Sequence, residues 1–487
     1  MQSWVLSGVA EADSGQIREN KMQIPIINGI YTNGVADFRT SYPINMIPVP
    51  KEQGISKGYL RPADGLISNG TGPGTTRGGI NWNGTCYRVM GTKLVTVAFD
   101  GTVTTLGDVG GSGQVVFDYS FDRLAIASSG NLYYWDGATL TQVTDADLGT
   151  VVDFCWVDGY FMTTDGEFLI VTELNDPTQV NPLKYGSSEA DPDPINAVLK
   201  LHNEVYAINR YTIEVFDNVG GEFFPFQRIE GAQIQKGAIG TFCSCVFVDA
   251  IAFLGSGRNE SPSIYLATNA TTVKISTREI DEIITSYSES ELVNVIFETR
   301  NDKAHQHLWV RLPDRTLVYD AAASQTLGEP VWFQLTSAVQ GFSAYRAKDL
   351  VWCYNRWLIG DPESSNVGYL TDTISSHFGE IVRWEFGTLI VYNEGRGAIF
   401  HELELVCLTG RTAFGLDPQI STSYSVDGET WSQDKYVKVG KQGDRAKRIT
   451  WLQQGAMRNW RMQRFRGDSQ AFISVARLEA RLEALAV

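Results

Sequence analysis

Between Lys435 and Arg466 the chain carries ten basic residues, Lys435, Lys438, Lys441, Arg445, Lys447, Arg448, Arg458, Arg461, Arg464 and Arg466, against the single acid Asp444. The whole chain has a formal net charge of −16, so this stretch runs against its background. Tyr436, Trp451, Trp460 and Phe465 are interleaved with the bases. One reading is a solvated strand face whose Arg stems cover aromatic rings. The other is a patch that docks an acidic protein neighbour or, as a lesser alternative, a polyanion. Two shorter patterns invite metal chemistry. Cys243-Ser244-Cys245 would place both thiols on one face of a strand, and His305-Gln306-His307 would do the same for two imidazoles. Neither has a second Cys or His pair nearby in sequence to complete a tetrahedral set, so a structural role is expected and no metal or cofactor. All six cysteines, at 86, 155, 243, 245, 353 and 407, sit mostly in apolar runs and are expected to be free, buried thiols.

Ser425-Val426-Asp427-Gly428-Glu429-Thr430-Trp431 resembles the Asp-box hairpin of sialidases. Such a box is a turn, with Asp bonding its own loop and Trp packed beneath, and it supplies no catalytic group. This copy is single and one residue short. A propeller glycosidase would also need an arginine cluster and a carboxylate pair at its channel mouth, and no pair stands out in the letters. There is no Gly-x-Ser-x-Gly elbow, phosphate loop or His-Glu-x-x-His helix, so no enzyme is expected.

Composition limits the remaining classes. With 43% hydrophobic and 20% charged residues the chain has the make-up of a globular protein and not of a disordered one. No run approaches the ~20 apolar residues that span a bilayer. The start, Met1-Gln2-Ser3-Trp4-Val5-Leu6, lacks a basic region and soon meets Glu11 and Asp13. Synthesis in a cytoplasm is therefore expected, and the sequons at Asn69, Asn83, Asn259 and Asn269 read as composition. The acidic balance argues against chain-wide phosphate binding.

The elements that position these residues follow from turn chemistry. Asp100-Gly101, Asp136-Gly137, Asp158-Gly159 and Asp165-Gly166 each separate two short runs rich in Val, Ile, Tyr, Phe and Thr, the pattern of two-residue hairpins with positive φ at both central positions. Hairpin groups recur near 80–106, 112–143, 150–172, 195–229, 239–275, 290–334 and 341–371. The spacing of roughly 35–45 residues is that of a propeller blade and predicts an all-β chain with a β-propeller of six or seven blades. One helix is expected in this zone, Thr277 to Tyr287, with Ile280, Ile283, Ile284 and Tyr287 on one side and a capping box at Ser288 to Glu291. Residues 1–78, with Tyr42-Pro43-Ile44-Asn45-Met46-Ile47-Pro48-Val49-Pro50 and a Gly-rich stretch through Gly74, read as an extended arm laid across other surfaces, together with the first strands. The propeller is placed at 79–379. A C-terminal β-sandwich-like domain follows at 380–487, its last segment from Val475 read as a strand turning into a short helix.

Tyr42 to Glu52, Gly58-Tyr59-Leu60-Arg61, Cys86 to Leu94, Gly107-Asp108-Val109-Gly110-Gly111-Ser112-Gly113, Gln235 to Cys243, Pro262-Ser263-Ile264-Tyr265 and Ser286 to Leu292 together resemble, in order and spacing, the packaged-DNA stabilisation proteins of short-tailed bacteriophages, which are tail hub proteins. The resemblance implies a virion tail protein that assembles as a homo-oligomeric ring, taken as a hexamer, below the portal and its adaptor. It would close the DNA channel with a tail needle or plug, carry receptor-binding spikes and act in genome ejection. Six copies would bring about −96 formal charge, so genomic DNA is expected to pass without being held.

Overall fold

The computed structural model describes residues 4–5, 20–27, 29–30, 40–51, 56–174, 176–393 and 395–485. Two compact units emerge, one made of Ile67–Pro313 with Arg346–Leu370, the other of Met1–Leu66, Asp314–Tyr345 and Thr371–Val487. These units do not follow the linear boundaries 1–78, 79–379 and 380–487.

The first unit is a β-propeller. Antiparallel four-strand meanders begin at Thr76–Trp82, Val116–Tyr119, Asp153–Val157 and Ile195–Leu201. A further group is built on Ser244–Phe247 and Ala250–Ser256, and the hairpin Ile296–Asp302 with His305–Arg311 comes next. The last group, Lys348–Cys353, Arg356–Gly360 and Asn366–Thr371, takes its fourth strand from Gly65–Thr71, which precedes the first group in sequence. Consecutive inner strands touch, and Lys348–Cys353 touches Thr76–Trp82, so seven inner strands close a ring. Each blade is packed on both faces. Leu124–Ser128, for example, is buried throughout and reads as a continuous apolar run rather than an alternating one. Side chains of neighbouring blades merge, as Cys86, Val95 and Val97 do with Val351, Leu358 and Val367 where the ring closes. An even number of strands per meander and short connections between meanders bring each inner strand in from the same side. The turns after first and third strands therefore all open on one face.

The hairpin turns depart from expectation in an informative way. Asp158 and Gly159 have φ of 49° and 93°, the predicted two-residue turn. At the other three Asp-Gly pairs only the Gly has positive φ, and the Asp caps its loop through its carboxylate. Asp136 Oδ1 accepts from Ala138 N at 2.8 Å and Thr139 N at 2.7 Å, and Asp165 Oδ1 accepts from Glu167 N and Phe168 N at 2.9 and 2.8 Å. A short acceptor two residues ahead of free N–H groups makes a wider loop as stable as the tight one. Other pairs with positive φ at both positions include Asn83-Gly84, Ser129-Gly130, Tyr354-Asn355 and Asn269-Ala270.

The Gly-rich stretches have mechanical reasons. Gly107 to Gly113 runs past the guanidinium of Arg77, which is buried and donates to the carbonyls of Gly113 at 2.6 Å and of Gly91 and Gly110 at 2.8 Å, and to Ser128 Oγ at 2.8 Å. Burial lowers the Arg77 pKa. At Gly70 a Cβ would lie 2.1 Å from the carbonyl oxygen of Gly101, so the closing strand reaches its place only without a side chain there.

Helix Arg278–Thr285 forms as expected, capped by Thr277, with Ile280 and Ile284 buried, and the Ser288 capping box opens Glu289–Leu292. Ser244 begins its strand directly after the short turn Thr241–Cys243, so the two thiols of Cys243 and Cys245 do not share a strand face. Cys243 is buried and donates to the carbonyls of Leu292 and Val295, and burial pushes its pKa up to about 12. His305 and His307 are buried with ring centroids 5.1 Å apart. The cysteines are free.

The second unit is a β-sandwich. One sheet runs Ile449–Leu452, Ala398–Leu408, Ser474–Ala484, Gly58–Pro62, Met46–Pro50, with Asn20–Ile24 also on Ser474–Ala484. The other is centred on Trp460–Asp468, flanked by Gln419–Ser425, Arg383–Gly387 and Val391–Tyr392. Trp384, Phe386, Phe465 and Trp451 stack in series between the sheets, with centroids 5.2 to 5.9 Å apart. Residues 42–50 lie against the rest of this unit, as expected, with Tyr42, Ile44, Met46 and Ile47 buried and Met46–Pro50 a strand of the sheet. One expectation is corrected here. Ser474–Ala484 is strand along its whole length, because partners on both sides supply hydrogen bonds that outweigh the helical preference of Ala, Leu, Glu and Arg. Helix Ala321–Leu327, capped by Asp320 and ended by Gly328 at φ 73°, was not expected.

Asn45 explains the motif around it. Its φ is 52° and it is buried, with Nδ2 donating to Thr336 O at 2.8 Å and Arg383 O at 2.7 Å while Oδ1 accepts from Thr336 N at 3.1 Å. One side chain thus ties three segments of the sandwich unit together.

Candidate docking surface

The ten basic residues do not form one stripe. Trp460–Asp468 is a strand, and its parity sends Arg461 inward with Gln463 and Phe465, away from Arg464 and Arg466. Arg461 is 1% exposed, lies 4.2 Å from the ring centroid of Phe400 and 3.8 Å from that of Tyr424, and donates to Gln454 O at 2.6 Å and Gln463 Oε1 at 2.9 Å. Burial pushes its pKa down to about 9, so it stays charged at neutral pH. Arg461 is therefore an internal brace and leaves the docking set. The guanidinium of Arg464 lies 3.8 Å over the ring of Trp431, which sits at the end of the Asp-box turn, so the charged head and not the stem covers the ring. In that turn Asp427 Oδ1 accepts from Thr430 N at 2.8 Å and Glu429 N at 3.0 Å, and the hydrogen bonds from Thr430, first of all, lower its pKa.

Three more bases are engaged by acids or carbonyls. Arg448 forks onto Glu404 at 2.6 and 2.7 Å, Arg466 pairs with Glu385 at 2.9 Å, and Lys435 donates to Gln453 O at 2.7 Å. Arg458 is exposed elsewhere on the unit.

Lys438, Lys441, Arg445 and Lys447 come together at one tip of the sandwich. Two loops build it, 409–418 and 439–448. Gly443 N donates to Gly410 O at 3.0 Å, Thr409 Oγ1 to Asp444 O at 2.9 Å, and Val439 N to Pro418 O at 2.9 Å. Gly410, at φ 77°, lets the loops meet, since a Cβ there would lie 3.0 Å from Asp444 backbone. Lys438 pairs with Asp417 at 2.8 Å, and this bond first, with Lys441 and Lys447 behind it, holds the Asp417 carboxyl below its usual range. The first loop adds an exposed Arg411 and presents Phe414 at 91% exposure. Both were missed in the sequence, because Arg411 lies outside the basic run. Its signal was Gly410 and Gly415 bracketing an arginine and an aromatic. The tip combines a net positive charge, the bases outnumbering Asp417 and Asp444, with an exposed ring, which suits an acidic surface carrying an apolar patch.

The inner strands of the propeller spend their carboxylates on the ring itself. Asp118 Oδ2 accepts from Trp156 N at 2.6 Å, Asp153 Oδ2 from Val198 N at 2.8 Å, and Glu298 Oε1 from Leu350 N at 3.0 Å, each bond joining one blade to the next. Desolvation raises all three pKa values, that of Asp153 to about 7. Beside them a cavity of about 550 Å³ is lined by Phe117, Phe121, Trp156, Lys200 and Val246, with Lys200 5.0 Å over the Trp156 ring.

The family model described as bacteriophage P22 Gp10, β-propeller, matches residues 22–375, and that described as bacteriophage P22 Gp10, β-sandwich, matches residues 383–483. The chain belongs to the bacteriophage P22 Gp10 family. The tail hub protein gp10 of Salmonella phage P22 is 28% identical over 487 residues, an alignment covering 95% of this chain and 99% of that one. Among solved structures, the Pan2 WD40 domain of Neurospora crassa is 10% identical with a TM-score of 0.42, covering 63% of this chain and 95% of its own. The N-terminal domain of Nup159 is 8% identical with a TM-score of 0.40, covering 66% and 97%. The family places a propeller and then a sandwich in this order, as found here.

Proposed function

We propose that this chain is a structural tail hub, or nozzle, of a short-tailed bacteriophage. The observation that carries the reading is the match of both family models in order, with a tail hub relative covered over 99% of its length. In this reading copies form a ring, of six, below the portal and adaptor, made in the host cytoplasm and added to the virion tail. The ring closes the DNA channel with a needle or plug, carries the spikes and opens at ejection. The tip formed by Lys438, Lys441, Arg445 and Lys447, with Arg411, is its docking surface for an acidic neighbour. The role is non-enzymatic, and the engagement of Asp118, Asp153 and Glu298 in bonds between blades supports it. The test is assembly: the purified chain is added to adaptor–portal complexes and imaged. Density on the tail axis is expected, whereas turnover of surface polysaccharide by the isolated chain would refute the reading.

A further inference from the structure

Many of the exposed large apolar side chains of the propeller lie together, while Leu183, Val273 and Val293 are exposed elsewhere. Phe99, Phe121, Leu174, Phe223 and Val248 stand in turns after first or third strands, and Trp352 lies one residue short of such a turn. All therefore lie on or beside the single face where those turns open, Phe121 at 92% exposure over the cavity by Trp156. The same turns are acidic. Asp100, Asp136, Asp158, Asp176, Glu222 and Asp249 are exposed there, against Lys303 and an Arg123 already paired with Asp122 at 2.8 Å, with Lys200 over Trp156 and Arg356 over Phe99 at the strand ends beside them. An acidic face carrying aromatic side chains is the complement of the sandwich tip, which is basic and carries Phe414 and, on the adjoining strand, exposed Tyr436.

We infer that the partner of the basic tip is this propeller face on a second copy of the chain. The inference rests on the reading of the tip as a docking surface and supplies its occupant. Different patches meet, so the contact is head-to-tail, the kind that closes into a ring when the rotation per copy divides a full turn. The net charge of −16 on each copy does not forbid it. At physiological ionic strength charges beyond ~8 Å are screened, so the local match of tip and face decides and not the total.

The experiment is sedimentation velocity of the full chain alone, with two charge reversals. Lys441→Glu with Lys447→Glu inverts the tip. Glu222→Lys with Asp249→Lys inverts the face, at side chains that cap no turn. Each double variant is expected to self-associate at least about tenfold more weakly than the parent. Mixing the two should restore association, because the inverted tip then meets the inverted face and the remaining contact is native. If the tip variant is impaired and the face variant is not, the inference is overturned and the docking reading stands. If neither matters, the inference is overturned, and the docking reading falls with it only if Lys441→Glu with Lys447→Glu also leaves assembly on adaptor–portal complexes unchanged. A parent chain that stays monomeric up to ~100 μM at low salt also overturns the inference.

Discussion

Replacing Asn45 by Ala removes one acceptor and two donors from a site where the chain offers no substitute. The Thr336 N–H and the carbonyls of Thr336 and Arg383 lose partners at 3.1, 2.8 and 2.7 Å. At about 1 kcal/mol for each buried neutral bond the loss is about 3 kcal/mol. Alanine at φ 52° adds about 1 kcal/mol, because a Cβ is poorly tolerated in the left-handed region without the local hydrogen bonding that Asn can make. Asn45→Ala should thus destabilise the sandwich by about 4 kcal/mol and Asn45→Gly by about 3 kcal/mol, which orders the two variants as well as sizing them. The assay is native-state hydrogen exchange on a peptide spanning 332–338, with urea unfolding of the whole chain beside it. Exchange at Thr336 should quicken by at least about a hundredfold. A loss under about 1 kcal/mol in Asn45→Ala, or Asn45→Gly proving the worse of the two, would refute the account of this residue as a three-way tie.

Asp153 supplies a pH test: its folded pKa is raised to about 7 from 3.8, so its contribution to stability is full below about 4 and lost as pH rises through about 7. Asp153→Asn, which keeps an acceptor for Val198 N, should therefore raise the propeller melting temperature at pH 8 relative to the parent and change it little at pH 4. Gly70→Val should open the ring, costing at least about 2 kcal/mol, because the new side chain overlaps the Gly101 carbonyl, and protease sensitivity near 65–75 reads this out. Arg461→Glu should prevent a stable sandwich, whereas Lys441→Glu with Lys447→Glu should melt within about 0.5 kcal/mol of the parent, a contrast that thermal unfolding settles. The isolated chain should bind duplex DNA no better than another acidic protein at low salt, measured by fluorescence anisotropy. Tight, salt-sensitive binding would contradict this.

The propeller was legible because its information is local. Each blade is announced by its own turns and apolar runs, so seven groups could be marked from the letters. What failed is what depends on the third dimension. The Asp-Gly pairs did not disclose which of two loop types each would adopt, because Asp serves both the tight turn at Asp158 and the capped loop at Asp136. The segment from Val475 to Leu485 reads as a strand turning into a short helix by propensity, and only the partners on either side keep it a strand through Ala484. The basic run was seen as a unit, although the parity of Arg461 with Phe465, against Arg464 and Arg466, was already in the sequence. The tip depends on a loop some thirty residues upstream, where Arg411 and Phe414 carried no charge run to draw notice. Asn45 lay inside a quoted motif, yet its partners at 336 and 383 are far away in sequence.

The strand Gly65–Thr71 leaves the ribosome early, and its partner Asn366–Thr371 follows about 300 residues later. At ~5–20 residues per second the nascent chain waits roughly 15–60 s with an open seam while up to six blades form. Through that interval the first blade shows an uncovered flank to solvent, and the waiting strand is free to pair with the last blade of another chain. Synthesis of several chains side by side on one polysome would make such cross-pairing a hazard. The glycines at 70, 72 and 74 bear on it, since a segment so poor in side chains gains little from any surface except the slot shaped for it. The yield of correctly closed rings would then be set by how fast translation proceeds between residues 72 and 371, and slowing elongation across that interval should raise the fraction of interlocked chains.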